Sequence, residues 1–301
     1  MKKAKKILLG ILAAVLAIAI CAVAVIGVMW RNEIASYLSI SQLTERNDDN
    51  QEGSVWYMEA HGDYYFPEFL AQGGAKSDKE LIAYMTSHLT RGLINATISE
   101  SDIGCSSFTA ALANGERVMG RNYDMSKTNV LIVRTEASGD RHATISSADL
   151  SFLGLSTDRD PATLMDKLTM TLATYVPLDG INDAGVSMSI HMSYQGLETD
   201  NSGKTHTVAT NVDTDKPDIT STTMIRMVLD YADSVESAVN LIQQYDLHDS
   251  ANTSFHYIIA DATGRSAILE WVSGDNTSDN DAGSRELVVT YMDADDSIGT
   301  A

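Results

Sequence analysis

The chain is poor in cysteine and in basic residues. Its only two cysteines are Cys21 and Cys105, and because Cys21 lies inside a long apolar run, an intrachain disulfide is not expected. No Cys/His spacing typical of zinc is present, the seven histidines are scattered, and the acidic stretches 213–218 and 275–281 lack EF-hand spacing. We therefore expect no metal and no cofactor. The chain has 21 basic and 41 acidic residues, which gives a net charge of -20. This charge disfavours nucleic-acid binding and favours a well-hydrated protein outside the cell.

The N-terminus consists of a basic tail followed by an apolar run. Residues 1–6 include four lysines, and residues 7–30 are long and apolar enough to cross a bilayer as a helix, which takes roughly 20 residues. The lysines place the tail in the cytoplasm. A cleaved signal peptide is the alternative, but its apolar core is usually about 7 to 15 residues long, and no clean small-x-small site follows. We predict an uncleaved single-pass anchor in the cell membrane, with the rest of the chain outside.

Two different segments separate this anchor from Cys105. Residues 31–53 are polar and charged, and we interpret them as a solvated stalk. Residues 54–104 are more ordered, with a capping box from Ser77 to Glu80 and aromatic residues at 59–66 that can dock on a neighbouring domain. The predicted helix carries an apolar side formed by Leu81, Ile82, Met85, Leu89 and Leu93.

A hairpin is predicted around Cys105. Residues 105–112 and 116–122 read as strands, and Asn114-Gly115 is a two-residue turn signal between them. Pairing across this turn would bring Arg121 and Asp124 alongside Cys105. The guanidinium can favour a thiolate, and the carboxylate can orient an amine.

A cysteine at a new N-terminus would carry its own general base. Only the thiolate attacks carbonyls well, and an α-amino group with a pKa of about 7.7 to 8 can take the thiol proton. Cleavage between Gly104 and Cys105 would expose that amine, so no catalytic histidine would be needed. The alternative is that Cys105 is an inert, small buried residue of an apolar strand.

Several ordered motifs resemble those of the choloylglycine hydrolase family, linear amide C-N hydrolases that include bile salt hydrolases and penicillin V acylases. The resemblance implies an α+β fold, the αββα sandwich of N-terminal nucleophile hydrolases. It also implies Cys105 as the nucleophile exposed by autocatalytic cleavage, Arg121 beside the sulfur, and Asp124 at the amine. The motifs are Cys105-Ser106-Ser107-Phe108, Gly120-Arg121-Asn122-Tyr123-Asp124, Asp179-Gly180-Ile181-Asn182-Asp183-Ala184-Gly185-Val186, Phe255-His256-Tyr257-Ile258-Ile259-Ala260-Asp261, Gly264-Arg265-Ser266 and Ile268-Leu269-Glu270.

Further substrate or oxyanion contacts are expected from the strand after Gly185 and from the motif before it. The family pattern gives His191 or Met192 for the first, and Asn182 for the second, although an Asn at a Gly-containing bend is usually a turn residue. The family's later Thr-Asn motif is matched only by Thr290-Tyr291, and its later Arg has no counterpart. We therefore expect an incomplete sandwich in a truncated member.

Two functions remain open. The first is hydrolysis of a linear non-peptide amide, such as a conjugated bile acid, an acylated penicillin-like amine, an N-acyl homoserine lactone or a lipid amide. The second is that of a degenerate, inactive anchored relative that binds a ligand. The sequence does not indicate an oligomeric state.

The predicted organisation has five parts. These are the basic tail 1–6, the anchor 7–30, the stalk 31–53, the propeptide-like segment 54–104 and the partial hydrolase domain 105–301. Alternatively, segment 54–104 is an N-terminal subdomain that is never cut. Further strands are predicted at 130–136, 142–147, 185–192, 255–260, 266–272 and 286–291, and helices at 161–175, 222–231 and 234–244. Residues 274–283 are an acidic loop between the last two strands.

Overall fold

The structure is a computed structural model that describes residues 2–98, 104–125, 127–274, 280–293 and 299–300. The helices are α1 (Lys2–Met29), α2 (Arg31–Ser39), α3 (Phe66–Ala71), α4 (Asp78–Leu89), α5 (Leu164–Met170), α6 (Ser221–Tyr231) and α7 (Val235–Ile242). The strands are β1 (Ser41–Thr44), β2 (Val55–Ala60), β3 (Gly104–Ala111), β4 (Arg117–Asp124), β5 (Val130–Thr135), β6 (Thr144–Asp149), β7 (Asp179–Asn182), β8 (Ser187–Met192), β9 (Glu198–Thr199), β10 (Thr205–His206), β11 (Asp218–Thr220), β12 (Asp246–His248), β13 (Phe255–Ala260), β14 (Ser266–Val272), β15 (Glu286–Met292) and β16 (Gly299–Thr300).

A nine-stranded sheet organises the molecule. Its strand order is β1-β2-β5-β6-β7-β8-β13-β14-β15, and among these described strands only β2 and β5 pair in parallel. Helices α6 and α7 pack on one face, together with a 3-10 helix at Thr171–Tyr175. The β3–β4 hairpin and β16 form a small sheet that meets β8 from the other face. The described residues thus form a mixed α/β fold of a helical layer, a large sheet and a small sheet.

Most of the strands predicted after Cys105 are present within two residues of the expected bounds. The hairpin loop differs, because Leu112 and Glu116 face each other and three residues, 113–115, form the turn. Gly115 takes the left-handed conformation that closes a three-residue loop. The helix expected at 161–175 begins only at α5, after a capping box at Thr163, and continues as the 3-10 helix.

The solvated stalk predicted at 31–53 was wrong for residues 31–44, whereas the polar run 47–52 is exposed. Residues 31–39 form α2, which packs on β2, and β1 extends the large sheet. Two serines of α2 make hydrogen bonds to the backbone in and just after β2. Ser36 Oγ accepts a hydrogen bond from the backbone N–H of His61 at 2.9 Å, and Ser39 Oγ accepts from that of Glu59 at 2.9 Å.

Residues 54–98 lie inside the fold rather than beside it. Two of the aromatic residues expected to dock, Tyr64 and Phe66, are buried in this same fold and contact Tyr175 at ring-centroid distances of 6.4 and 5.4 Å. Helix α4 begins after Ser77, whose hydroxyl accepts from the Glu80 N–H at 3.3 Å. The helix ends at Leu89, so Leu93 was wrongly placed on its apolar side and is exposed.

One described helix is long and apolar enough to cross a membrane. It spans Lys5–Met29 with a mean hydropathy of 3.1, and none of it is buried in the protein. By length and composition it is a candidate membrane span or a signal sequence. Two other predictions lie partly outside the described residues, namely the acidic loop 274–283 and the C-terminal part of the 105–301 domain.

Candidate active site

The hairpin directs its side chains alternately toward and away from the large sheet. Cys105 lies opposite Tyr123, and Ser107 lies opposite Arg121. Because side chains in a strand alternate, these four residues share one face of the hairpin, which is the face toward β8. The predicted approach of Arg121 to Cys105 is therefore present, and it results from strand pairing across sixteen residues.

Arg121 contacts the sulfur directly. Its Nη2 donates a hydrogen bond to Cys105 Sγ at 3.1 Å, and its guanidinium lies over the Tyr123 ring at 4.2 Å. The Arg121 Nε is buried without a hydrogen-bond partner and lies 4.0 Å from Asp179 Oδ2. A cation held this close to a thiol favours the thiolate.

His191 lies behind this arginine and is 1% exposed. Arg121 Nη1 is 3.0 Å from His191 Nε2, and the hydroxyls of Ser107 and Ser189 are each 3.0 Å from the same nitrogen. Burial, reinforced by the Arg121 charge, lowers the pKa of His191 to about 3. The ring is therefore neutral at physiological pH, and it can accept a hydrogen bond from the guanidinium.

A second histidine ring covers the far side of His191. His256 stacks on it with ring centroids 5.3 Å apart and an interplanar angle of 6°. The Ser107 hydroxyl that contacts His191 belongs to β3, the strand of Cys105. The sequence predicted that His191 contacts the substrate, and the burial of its side chain does not support that role. Its contacts instead join the strand that carries the nucleophile candidate to the arginine beside the sulfur.

The Cys105 thiol is held in its protonated form. Burial raises its pKa, Arg121 opposes this increase, and the carboxylates of Asp124 and Asp179 add to it. In the uncut chain the residue's own nitrogen is an amide and cannot act as a base.

Asp124 lies at the bond that the sequence predicts to be cut. It is exposed, pairs across the hairpin with Gly104, and accepts a hydrogen bond from the Asn122 side chain. Its position beside residue 104 is compatible with contact to the Cys105 nitrogen. That contact stays a prediction.

The Asn182 side chain has a structural role on the face of the large sheet that lies away from the hairpin. Its Nδ2 donates to the carbonyls of Leu229 and Ala232 at 3.1 and 2.7 Å. Its Oδ1 accepts from the N–H groups of Ala184 and Val186 at 3.1 and 2.9 Å. All these partners belong to the following turn or to the end of α6, so the side chain has the hydrogen bonds of a turn residue.

The other two regions expected near the site lie elsewhere. Strand alternation places Met192 on the face opposite to that of His191, away from the hairpin. Thr290 and Tyr291 lie in the edge strand β15, where the guanidinium of Arg265 covers the Tyr291 ring at 4.9 Å.

Asp179 is a site residue that sequence reasoning missed. It accepts a hydrogen bond from Ser147 Oγ at 2.5 Å and lies beside Arg121. The sequence did contain one signal for the surface of β8 that faces the hairpin. Residues 187–192 alternate polar and apolar, and the polar Ser189 and His191 face the hairpin.

A cavity of about 460 Å³ opens beside the Arg121–Asp179 pair. Its other walls are mostly apolar and include Val118, Met119, Ile132, Ile145 and Ile181. This volume is in the range of small-molecule sites. A larger cavity of about 700 Å³ lies toward the turn end of the hairpin and does not include Arg121.

The geometry of the hairpin agrees with a comparison against protein families. The model of the linear amide C-N hydrolases, choloylglycine hydrolase family, matches residues 105–276, and the match begins at Cys105 itself. The chain belongs to the choloylglycine hydrolase family. No curated protein matches this family member.

Solved structures similar to this choloylglycine hydrolase family member include two hydrolases. A mutant conjugated bile acid hydrolase from Clostridium perfringens is 15% identical, with a TM-score of 0.38, covering 62% of this chain and 51% of its own. Penicillin V acylase from Agrobacterium tumefaciens is 15% identical, with a TM-score of 0.30, covering 65% of this chain and 44% of its own. The chain thus spans about half the length of these structures.

Proposed function

We propose that the chain is an amidohydrolase whose nucleophile is Cys105, exposed by cleavage of the Gly104–Cys105 bond. The observation that carries the proposal is the 3.1 Å contact from Arg121 Nη2 to Cys105 Sγ. The family match that begins at Cys105 supports the same reading. A thiol whose pKa is raised by burial needs a nearby base, and the new α-amine would supply one.

Self-processing would use the same sulfur. The Cys105 thiol would attack the Gly104 carbonyl carbon, forming a thioester as the C–N bond breaks and the nitrogen gains a proton. Water would then hydrolyse the thioester. The products would be a chain ending at Gly104 and a chain beginning at Cys105 with a free amine.

Turnover would repeat this chemistry on a substrate amide. The α-amine would take the thiol proton, the thiolate would attack the amide carbon, and the protonated amine would pass its proton to the leaving nitrogen. Arg121 would stabilise the thiolate, and Asp124 would orient the amine. Water, deprotonated by the amine, would release the acyl group as a carboxylic acid and regenerate the thiol.

The cavity beside Arg121 supports a substrate with an apolar acyl group. Its walls include Ile132, Ile145 and Ile181 together with Arg121, whose Nη2 contacts the Cys105 sulfur at 3.1 Å. An apolar group in this cavity would place a linked amide near Cys105. We propose a linear non-peptide amide of this kind as the substrate.

We propose that α1 anchors the protein in the cell membrane, with the hydrolase region on the extracellular side. Support comes from its apolar helix Lys5–Met29 and the lysines that precede it. The test is Edman sequencing of the membrane fraction together with protease accessibility in intact cells. A protein lacking residues 1–30, found free of the membrane, would identify the helix as a signal sequence.

The cleavage test compares cysteine variants of the full chain purified in detergent. Intact mass and N-terminal sequencing should find a chain beginning at Cys105 in the unaltered protein, and none in Cys105→Ala. Cys21→Ala is the matched control, because Cys21 is the other cysteine, and it should be cut normally. A folded, unaltered protein that is never cut would contradict the proposal.

A further inference from the structure

The residues ahead of the proposed cleavage point form part of the large sheet. We infer that, after cleavage, the N-terminal fragment stays bound as a second subunit, so that the mature protein is a two-chain complex. Here the N-terminal fragment means residues 1–104 and the hydrolase chain means residues 105–301. The inference rests on the proposed cleavage and extends it.

Strand pairing is the first contact that would survive cleavage. All six residues of β2 pair with β5, from Val55 opposite Val130 to Ala60 opposite Thr135. Strand β5 lies between β2 and β6 in the large sheet, and its Leu131 is 0% exposed. Loss of the fragment would leave β5 as an unpaired sheet edge.

An aromatic cluster is the second contact. Three rings of the N-terminal fragment pack on Tyr175 of the hydrolase chain, namely Phe66 at 5.4 Å, Phe69 at 5.6 Å and Tyr84 at 6.2 Å between ring centroids. Phe66, Phe69 and Tyr175 are all 0% exposed. These rings form core rather than a surface from which a segment can be released.

A buried ionic group is the third contact. Tyr64 donates its hydroxyl to Asp230 at 2.6 Å, and Arg226 Nη2 lies 2.7 Å from the same carboxylate. Arg141 donates to the Gly62 carbonyl at 3.0 Å and covers the Tyr64 ring at 4.6 Å. Departure of the fragment would leave Asp230 and Arg141 without these partners, which is unfavourable for buried charged groups.

Two further backbone contacts reach distant parts of the hydrolase chain. Asp78 accepts a hydrogen bond from the Ala251 N–H at 2.7 Å, and the Gly73 carbonyl accepts one from the Asp218 N–H at 2.8 Å. The fragment is thus held by β5, by the 3-10 helix, by α6 and by the loops near residues 218 and 251. Cutting one peptide bond removes none of these contacts.

The complex would hold the hydrolase chain at the membrane through the span of the N-terminal fragment. The apolar helix α1 belongs to the N-terminal fragment, and it is the one span candidate among the described residues. The hydrolase chain would be attached to it only through non-covalent packing.

The test uses the full chain in detergent with a cut that does not depend on self-processing. Residues 101–104 are replaced by a four-residue recognition sequence, after which a site-specific protease cleaves directly before Cys105. Both chains are expected in one peak on native size-exclusion chromatography and in two peaks in concentrated urea. Separate elution of the two chains in native buffer would overturn the inference, whether or not the unaltered protein cuts itself.

A second measurement asks whether the buried hydroxyl contributes to this attachment. The cut protein is bound to vesicles, and urea is raised until the hydrolase chain leaves the membrane pellet. Tyr64→Phe is expected to lower the urea concentration at half-release. The matched control is Tyr65→Phe, which removes a hydroxyl whose hydrogen bonds, to Glu33 and Arg91, lie within the N-terminal fragment. Equal midpoints for the two variants would remove the Tyr64–Asp230 contact from the argument, and release of the hydrolase chain without urea would overturn the inference.

Discussion

His191 Nε2 and Arg121 Nη1 lie 3.0 Å apart on the inner surface between the hairpin and the large sheet. A neutral imidazole and a guanidinium can share a hydrogen bond, whereas two cations in this place would repel each other. The second amino group of the same arginine donates to Cys105. One buried histidine therefore helps to set the direction of the cation that favours the thiolate.

Removing the Arg121 charge should slow the chemistry of Cys105. We expect Arg121→Gln to lower the rate of iodoacetamide alkylation at pH 8 roughly tenfold, because each unit of increase in thiol pKa reduces the thiolate about tenfold. The measurement uses a Cys21→Ser background, in which Cys105 is the only thiol. Arg134→Gln, at an exposed strand position, is the control and should react normally. Equal rates for the two variants would contradict the role of Arg121.

Changing His191 should affect Cys105 through Arg121. His191→Leu removes the acceptor, so we expect the midpoint of the alkylation pH profile to rise, whereas His191→Gln keeps an acceptor and should restore most of the reactivity. His142→Gln is the surface control, since His142 is bonded to Asp183 on the outside of the protein. If the Leu and Gln variants had the same profile, hydrogen bonding by His191 would not position Arg121.

Stability should decrease in acid partly through His191. Its pKa is about 3 in the folded protein, against an ordinary value of 6.5, so the unfolded chain binds an extra proton between these pH values. The contribution is present in full above pH 6.5 and is lost as the pH falls toward 3. Between pH 6.5 and 5 we expect a loss of about 2 kcal/mol from this group.

Urea unfolding at these two pH values, compared between the unaltered protein and His191→Gln, isolates the histidine from the carboxylates that also titrate. The variant should lose less stability on acidification. Identical pH dependence in both proteins would show that His191 is not buried as a neutral ring.

The buried pair of Arg226 and Asp230 should be costly to break. Both side chains are 0% exposed, so Arg226→Leu removes the nearest cation of a buried carboxylate that keeps only Tyr64 at 2.6 Å and Arg141 at 3.9 Å, and we expect a loss of about 3 kcal/mol in the free energy of unfolding. Arg159→Leu breaks a bridge to Asp166 whose arginine is 51% exposed, and the loss should be clearly smaller than in Arg226→Leu. Comparable losses in the two variants, measured by urea unfolding, would contradict the interpretation.

Filling the cavity beside Arg121 should block substrates without affecting the sulfur. We expect Ile145→Trp to reduce hydrolysis of N-acyl amides at least tenfold, while alkylation by the small reagent iodoacetamide stays unchanged. Leu112→Trp is the control, because Leu112 is exposed near the hairpin turn and outside this cavity. An unchanged hydrolysis rate in Ile145→Trp would place the acyl group elsewhere.

Local patterns were sufficient to predict the hairpin and most of the later strands. Arg121 could be placed near Cys105 because strand pairing across a short turn leaves little freedom. The parallel pairing of β2 with β5 could not be predicted in this way, because it joins residues 75 positions apart and no short-range signal marks it. The polar composition of residues 31–39 was misleading for another reason, since the same side chains can bond to water or, as Ser36 and Ser39 do, to the backbone of a neighbouring segment.

The candidate site could be predicted only for residues whose positions are fixed by strand pairing within the hairpin. Asn182 belongs to a motif near the site in sequence, yet its side chain faces α6 on the other side of the large sheet. The burial of His191 depends on β8 lying between two other strands, and this is a property of the whole sheet.

The parallel β2–β5 pair determines how readily the protein can refold after cleavage. The segment that links these strands carries the hairpin, so cleavage before Cys105 opens the connection after the sheet has formed. An intact chain folds as one molecule, but a cleaved pair that has been unfolded must first find its partner, at a rate that depends on concentration. The intact chain could therefore refold after it has been unfolded. The cleaved protein, once unfolded, would instead be replaced by newly synthesised protein.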